Sequence, residues 1–315
     1  MTEDKFSESL DFAVIGAQKC ATSWMYYCLA DHPDVKMPPS KREKVYLGGS
    51  MHEEKGDEWY FSSINVGGST KIKGDVSVDY LFDPSSPSTL ANVVPDVKLV
   101  ALLRDPINRA VSSYFWNLRR RNIGELDLNH GMRRVLRKTR EAENLTAYDP
   151  SATAINILAR GLYDVQVERY LNYFEPTQIL LLPYTAVKHR PTEVLKQVYQ
   201  FIGADPTFYP SQLTQTRRPK RNTYLKSLLA LERDLPDTAF FKRVVDYIHQ
   251  GISYLGVKRK RPRLSRSVWG KMHDFYHDHV ETLFSIVNRL PPDNDLWNGV
   301  CWLERKMDER EVPLP

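Results

Sequence analysis

The sequence predicts an α/β protein built on a mostly parallel sheet with helices on both faces. Three observations predict it. Short apolar runs, FAVIGA at 12–17, KLVALL at 98–103 and ILLL at 179–182, have the length of fully buried strands. Segments with apolar residues at helical spacing lie before or after these runs. The alternation of strand and helix then favours crossover connections, which make a sheet parallel.

Each element has its own signal. A helix is expected from about Thr22 to Ala30, because Met25, Cys28 and Leu29 fall at i, i+3 and i+4 and Asp31-His32-Pro33 stops it. KIKGDVSV, 71–78, is a weaker strand. KLVALL runs into Arg104-Asp105-Pro106, where Asp105 can cap a helix and Pro106 can take its first position. Ile107, Ala110, Val111, Tyr114, Phe115 and Leu118 continue that helix as one stripe. A helix bearing Tyr163, Val167, Tyr170, Leu171 and Phe174 precedes ILLL, and one bearing Val194, Leu195, Val198, Tyr199 and Ile202 follows it. From about Asn222 the chain reads as helical, with Trp269, Met272, Tyr276, Val280, Leu283 and Val287 on a long helix near 264–290. No repeat or linker interrupts it. One domain is expected over 1–315, an α/β core at 10–225 carrying a helical extension at 226–315.

Composition narrows the function. With 315 residues, 42% hydrophobic and 26% charged, the chain can bury a large core. Its 44 Lys and Arg against 39 Asp and Glu leave +5, which suits an anionic ligand but is too small to imply nucleic acid. Cys20, Cys28 and Cys301 are too few and too irregular for a disulfide framework or a zinc site. The polar, acidic start MTEDKFSESL is no signal peptide, and no apolar run reaches the roughly 18 residues of a membrane span. The expectation is a cytoplasmic protein.

The two strongest strands each end in a basic residue followed by a helix start: Lys19 after the first, Arg104 after KLVALL. In parallel sheets ligands gather at the carboxyl ends of the strands, where helix N-termini present donors. Two cations and two helix starts at one edge suit a ligand with two anionic groups. In the first loop the N–H groups from Lys19 to Ser23, with the Thr22 and Ser23 hydroxyls, can wrap one phosphate while Lys19 adds a mobile charge. The Arg104 fork can grip the other. Ser112 lies two turns along the same helix, opposite the Ile107/Val111 stripe. The loop lacks the Gly-x-x-x-x-Gly-Lys-Ser/Thr spacing of an ATP or GTP site.

These residues carry a resemblance. Gln18-Lys19-Cys20-Ala21-Thr22-Ser23-Trp24 resembles the 5′-phosphosulfate loop of the sulfotransferases, usually Lys-x-Gly-Thr-Thr/Ser, with Ala21 in place of the glycine. Arg104-Asp105-Pro106-Ile107-Asn108-Arg109-Ala110-Val111-Ser112-Ser113-Tyr114 resembles their 3′-phosphate motif, Arg-Asp-Pro-x-x-Arg-x-x-Ser-x-Tyr. The likeness spans roughly residues 10–225 and is nearest to the heparan-sulfate-type branch and its bacterial relatives. Arg42-Glu43-Lys44-Val45-Tyr46-Leu47 is similar to that branch's Lys-Glu-x-x-Phe/Tyr-Phe. Gly74-Asp75-Val76-Ser77-Val78-Asp79-Tyr80 is similar to its Gly-Glu-x-Ser/Thr-Pro-x-Tyr strand. Gly161-Leu162-Tyr163 is similar to its later Gly/Ser-x-Tyr helix. Arg217-Arg218-Pro219-Lys220-Arg221 stands where the family closes a basic loop over the 3′-phosphate. Val76 replaces a basic residue that contacts substrate in some relatives.

The resemblance implies a P-loop-like three-layer fold and an enzyme that uses 3′-phosphoadenosine 5′-phosphosulfate (PAPS) as co-substrate, with no metal. It implies that Lys19, Cys20, Ala21, Thr22, Ser23, Trp24, Arg104, Ser112, Arg218, Lys220 and Arg221 hold the donor. It also implies that Lys19 stabilises the leaving 5′-phosphate and that Glu43 takes the acceptor's proton. His52 is the runner-up base, with His32 behind it. Cys20, beside Lys19 and a helix start, sits where a thiol pKa can fall, although a small side chain tolerated beside the phosphate explains it more simply. The acceptor is expected to be a small metabolite or natural product, alcohol or amine, and next a soluble saccharide or glycolipid. Residues 47–70 and 121–160, long and polar, are expected to face it, with Trp59, Tyr60, Phe61, Arg119 to Arg121 and Tyr148 as contacts. Two other functions stay open on the residues alone. One is a P-loop small-molecule kinase. The other is a non-catalytic polyanion binder using basic runs such as Lys258-Arg259-Lys260-Arg261-Pro262-Arg263.

Overall fold

The computed structural model describes residues 9–39, 46–64, 71–145, 149, 151–213, 238, 243–245, 247–248, 262–290 and 295–302. Among the described residues five strands, β1 (Phe12–Gly16), β2 (Val35–Lys36), β3 (Ile72–Val76), β4 (Lys98–Leu103) and β5 (Ile179–Pro183), form one sheet in the order β2-β3-β1-β4-β5. All pairings are parallel, with Phe12 opposite both Gly74 and Lys98, and Leu99 opposite Ile179. The chain leaves β1 towards β2 and β3, then returns to build β4 and β5 on the other side. The crevice between β1 and β4 is therefore the switch point of the sheet, where such folds bind ligands.

Among the described residues, the helices with defined bounds are α1 (Thr22–Asp31), α2 (Ser50–Ile64), α3 (Ser86–Val93), α4 (Pro106–Arg119), α5 (Leu128–Arg140), α6 (Thr153–Ala159), α7 (Tyr163–Leu171), α8 (Tyr184–His189), α9 (Pro191–Ile202) and α10 (Arg266–Val287). The three apolar runs behave as read. Leu99 through Leu103 have no exposed surface, and each fully buried Val or Leu contributes roughly 1.5–3 kcal/mol. Gly74 has a packing reason: an added Cβ would lie 2.0 Å from the Phe12 ring across the β1–β3 pair.

The segments read as polar insertions are mostly helical. Residues 47–70 contain α2, which breaks at Gly56 (φ 82°), and residues 121–160 contain α5 and α6. Tyr60 and Phe61 are core side chains and cannot meet an acceptor, which corrects the expectation for them. Tyr148 lies outside the described residues. The charge of α5 hides a regular buried stripe of Leu128, Met132, Val135, Leu136 and Thr139.

The long final helix α10 packs on α4, α5 and α7. Tyr276 donates to the Leu158 carbonyl at 2.8 Å, and His279 Nδ1 meets Asp164 Oδ2 at 2.7 Å. That hydrogen bond to Asp164 raises the His279 pKa above its ordinary 6.5, with partial burial opposing. A group whose pKa is raised on folding stabilises the fold fully below its unfolded value and loses that contribution as pH climbs through its folded value. His279→Gln should therefore cost more stability at pH 6 than at pH 9 in urea melts. Equal costs at both would overturn the charged pairing.

Candidate active site

At the carboxyl end of β1 the chain makes a tight loop. Ala17 N–H donates to the Leu102 carbonyl of β4 at 2.8 Å, so the loop starts within the β1–β4 crevice. Lys19 (φ 71°) and Ala21 (φ 72°) are both left-handed, with Cys20 between them at negative φ. Such alternation turns successive N–H groups towards a common point, a geometry that collects anions. Ala21 gives α1 no side-chain cap, whereas Asp105 caps α4 by accepting from Asn108 N–H at 2.7 Å. An uncapped helix start at the mouth of a left-handed turn suits a phosphate.

Ala21 stands where the family usually has glycine. The left-handed region costs an alanine about 1 kcal/mol that a glycine avoids. Ala21→Gly should therefore raise stability by up to about 1 kcal/mol, read as a higher urea midpoint. A lower midpoint would mean that the loop is not strained there.

Arg104, at the end of β4, joins this loop. Its Nη1 donates to the Lys19 carbonyl at 3.4 Å, and its guanidinium lies 4.7 Å from the centre of the Tyr184 ring, at the start of α8. Lys19 and Arg104 thus meet at one edge, as the two strand ends foretold. The Lys19 ammonium lies 5.7 Å from the centre of the Trp116 ring, which also carries the Arg120 guanidinium at 4.3 Å. Beneath the loop, Ser113 donates to Gln18 Oε1 at 3.1 Å, and Asn117 Nδ2 donates to the Ser113 carbonyl at 3.0 Å. Tyr184, Trp116 and the Gln18–Ser113 pair escaped the sequence reading. Only the positions of Trp116 and Ser113 on α4, of Tyr184 on α8 and of Gln18 in the first loop, beside the two basic strand ends, hinted at them.

The remaining predicted donor residues divide. Ser112 is half-buried on the polar side of α4, while Ile107 and Val111 are buried, as the stripe required. Thr22 is buried and Ser23 half-buried in the first turn of α1. Trp24 donates from Nε1 to the Leu213 carbonyl at 3.2 Å, so it ties the loop–helix junction to the chain after α9. The Cys20 side chain turns inward. Its thiol is fully buried, 3.8 Å from the Tyr163 hydroxyl. Burial pushes the thiol pKa up, and the nearby cations Arg104, Arg109 and Lys19 only partly oppose this. Arg218, Lys220 and Arg221, with the rest of 217–221, lie outside the described residues, as does the basic run at 258–261.

Among the base candidates, Glu43 lies outside the described residues. The chain resumes at Tyr46 and Leu47, which are anchored beside β3. Leu47 N–H donates to the Tyr80 hydroxyl at 3.1 Å, and Tyr80 in turn donates to Asp75 Oδ2 at 3.0 Å. His52 Nδ1 accepts from Gly48 N–H at 3.3 Å, and its Nε2 meets Asp57 Oδ1 at 2.6 Å. Both ring nitrogens are engaged. His32 is buried between Tyr199 and Phe208, accepts from Asp34 N–H at Nδ1 and reaches the Asp205 carbonyl through Nε2. It secures the end of α1.

Comparison with known proteins places the fold and the family. A sulfotransferase from Alicyclobacillus acidocaldarius superposes with a TM-score of 0.61 at 20% identity, covering 92% of this chain and 98% of that one, and shares the fold. The bifunctional heparan sulfate N-deacetylase/N-sulfotransferase 4 of Mus musculus is 28% identical over 297 residues, 91% of this chain but 31% of the mouse protein. The human N-deacetylase/N-sulfotransferase 3 is 28% identical over 209 residues, 64% of this chain and 23% of that protein. The chain therefore spans under a third of these curated relatives. The sulfotransferase domain pattern matches residues 10–284, and with that match over most of its length the chain belongs to the sulfotransferase family.

Proposed function

We propose that PAPS lies across the β1–β4 crevice, its 5′-phosphosulfate in the Lys19–Ser23 loop and its 3′-phosphate against Arg104 and Ser112. The observation that carries this reading is the 3.4 Å contact between Arg104 and the Lys19 carbonyl, which brings the two anion sites to one edge. In the reaction, an acceptor oxygen or nitrogen attacks sulfur in line. The S–O bond to the 5′-phosphate breaks, adenosine 3′,5′-bisphosphate leaves, and the acceptor's proton passes to a base. Positioning and charge stabilisation supply the catalysis. Lys19 meets the charge that grows on the leaving oxygen, and the loop N–H groups share it. Glu43 is the base of this reading, and the closed hydrogen-bond pattern of His52 supports the choice.

The acceptor is a hydroxyl or amine of a saccharide. Kinship with two heparan sulfate N-sulfotransferases supports a saccharide over the small metabolite expected from sequence. The test is calorimetry with adenosine 3′,5′-bisphosphate, followed by incubation with radiolabelled PAPS and N-desulfated heparan sulfate. Arg104→Ala should weaken nucleotide binding by at least ~10-fold, since losing a hydrogen bond to a charged group costs about 1.5–3 kcal/mol. Undiminished binding would remove Arg104 from the donor site.

A further inference from the structure

Helix α5 carries five cations, Arg133, Arg134, Arg137, Lys138 and Arg140, and no acid, a charge equal to the net excess of the whole chain. All five are exposed, while Leu128, Met132, Val135, Leu136 and Thr139 bury the other side against the protein. At 100° per residue the five span an arc of about 160°. Among the described residues only Arg137 has a carboxylate partner, Glu141, at 3.9 Å.

Stability does not account for this face. Arg137, Lys138 and Arg140 suit the negative end of the helix dipole, but Arg133 and Arg134 sit mid-helix, beyond its reach. Arg133 and Arg137, and Arg134 and Lys138, are like charges at i, i+4, which repel. The fold carries this repulsion without structural return, so the return is a ligand.

We infer that the exposed face of α5 binds a polyanionic glycan, one bearing carboxylates or sulfates along its length. Four of the five cations are arginines, whose forks match planar and tetrahedral oxyanions. No Phe, Tyr or Trp lies on the helix, which disfavours single-stranded nucleic acid, whose binding uses stacking platforms. Its apolar side is spent in the core, so nothing is left to enter a lipid interface. The choice of a glycan rests on the proposed saccharide acceptor. Each transfer adds a sulfonate, so a chain sulfonated repeatedly becomes a better ligand for this face.

The test compares the full chain with Arg133→Gln/Arg134→Gln/Arg140→Gln and with the charge-keeping triple Lys variant. Probes are heparin, an oligothymidylate and phosphatidylserine vesicles, each over a salt series. The Gln variant should bind heparin at least 10-fold more weakly at low salt, with a smaller slope of log affinity on log salt, since fewer counter-ions are released. The Lys variant should retain much of the binding. Unchanged heparin affinity would overturn the inference, and so would a larger arginine-dependent affinity for the oligonucleotide or the vesicles. Binding of adenosine 3′,5′-bisphosphate, measured on the same samples, should be the same in all three proteins. Its absence from all of them would count against the donor site alone and leave the heparin result to judge this face.

Discussion

Lys19→Ala is expected to lower turnover by at least ~100-fold, the scale of removing one preorganised donor from a developing oxyanion. Binding of adenosine 3′,5′-bisphosphate should weaken far less, because Arg104 and the loop N–H groups remain. The distinction follows from where the charge changes. The 3′-phosphate carries the same charge throughout the reaction, whereas the oxygen leaving sulfur becomes more negative as the bond breaks. An ammonium on a flexible stem can follow that oxygen, and the Trp116 ring beside it is a soft contact that it can leave. The measurement is label transfer from PAPS under saturating donor, alongside calorimetry. Turnover near that of the unaltered protein would strip Lys19 of the role. A parallel collapse of nucleotide affinity would make it a binding residue only.

The second large effect concerns stability. Asp75, at the end of β3, is buried, accepts from the Tyr60 and Tyr80 hydroxyls at 2.7 and 3.0 Å, and takes the Val76 N–H on its other oxygen at 2.7 Å. Burial raises its pKa, and these three donors pull it back. Asp75→Ala would orphan buried donors at about 1–3 kcal/mol each. Tyr60 and Tyr80 already lie 2.9 Å apart and can partly satisfy one another, so a total near 3 kcal/mol is expected. Asp75→Asn, which keeps the acceptor oxygen, should cost less. Urea unfolding of both variants decides it, and equal costs would show that the carboxylate's acceptors are not what matters. Because Tyr80 also holds Leu47, the alanine variant should lose activity beyond its loss of folded protein.

Much of this was legible beforehand, for physical reasons. Strands buried on both faces write themselves as unbroken apolar runs, and β1, β4 and β5 were read from those alone. A basic residue between such a strand and a capped or uncapped helix start marks a ligand edge, so Lys19 and Arg104 could be paired before their contact was seen. The bases were harder. Sequence places His52 in a polar stretch but does not show that Gly48 N–H and Asp57 occupy both its nitrogens. Tyr60 and Phe61 looked accessible because α2 has only a narrow apolar side and breaks at Gly56. Contacts made across the chain, such as Trp116 with Lys19, leave no periodic trace.

The placement of α10 bears on how the protein is made. Arg109 lies wholly inside, donating to the Ile157 carbonyl, and beside it the Tyr276 hydroxyl reaches the Leu158 carbonyl. All five described strands have left the ribosome once residue 183 is out, yet this guanidinium is not enclosed until residue 276 arrives. A nascent chain halted between those points would hold its sheet with one flank of α4 still wet. Chaperone capture and protease sensitivity should peak in that window and fall once the last long helix has docked.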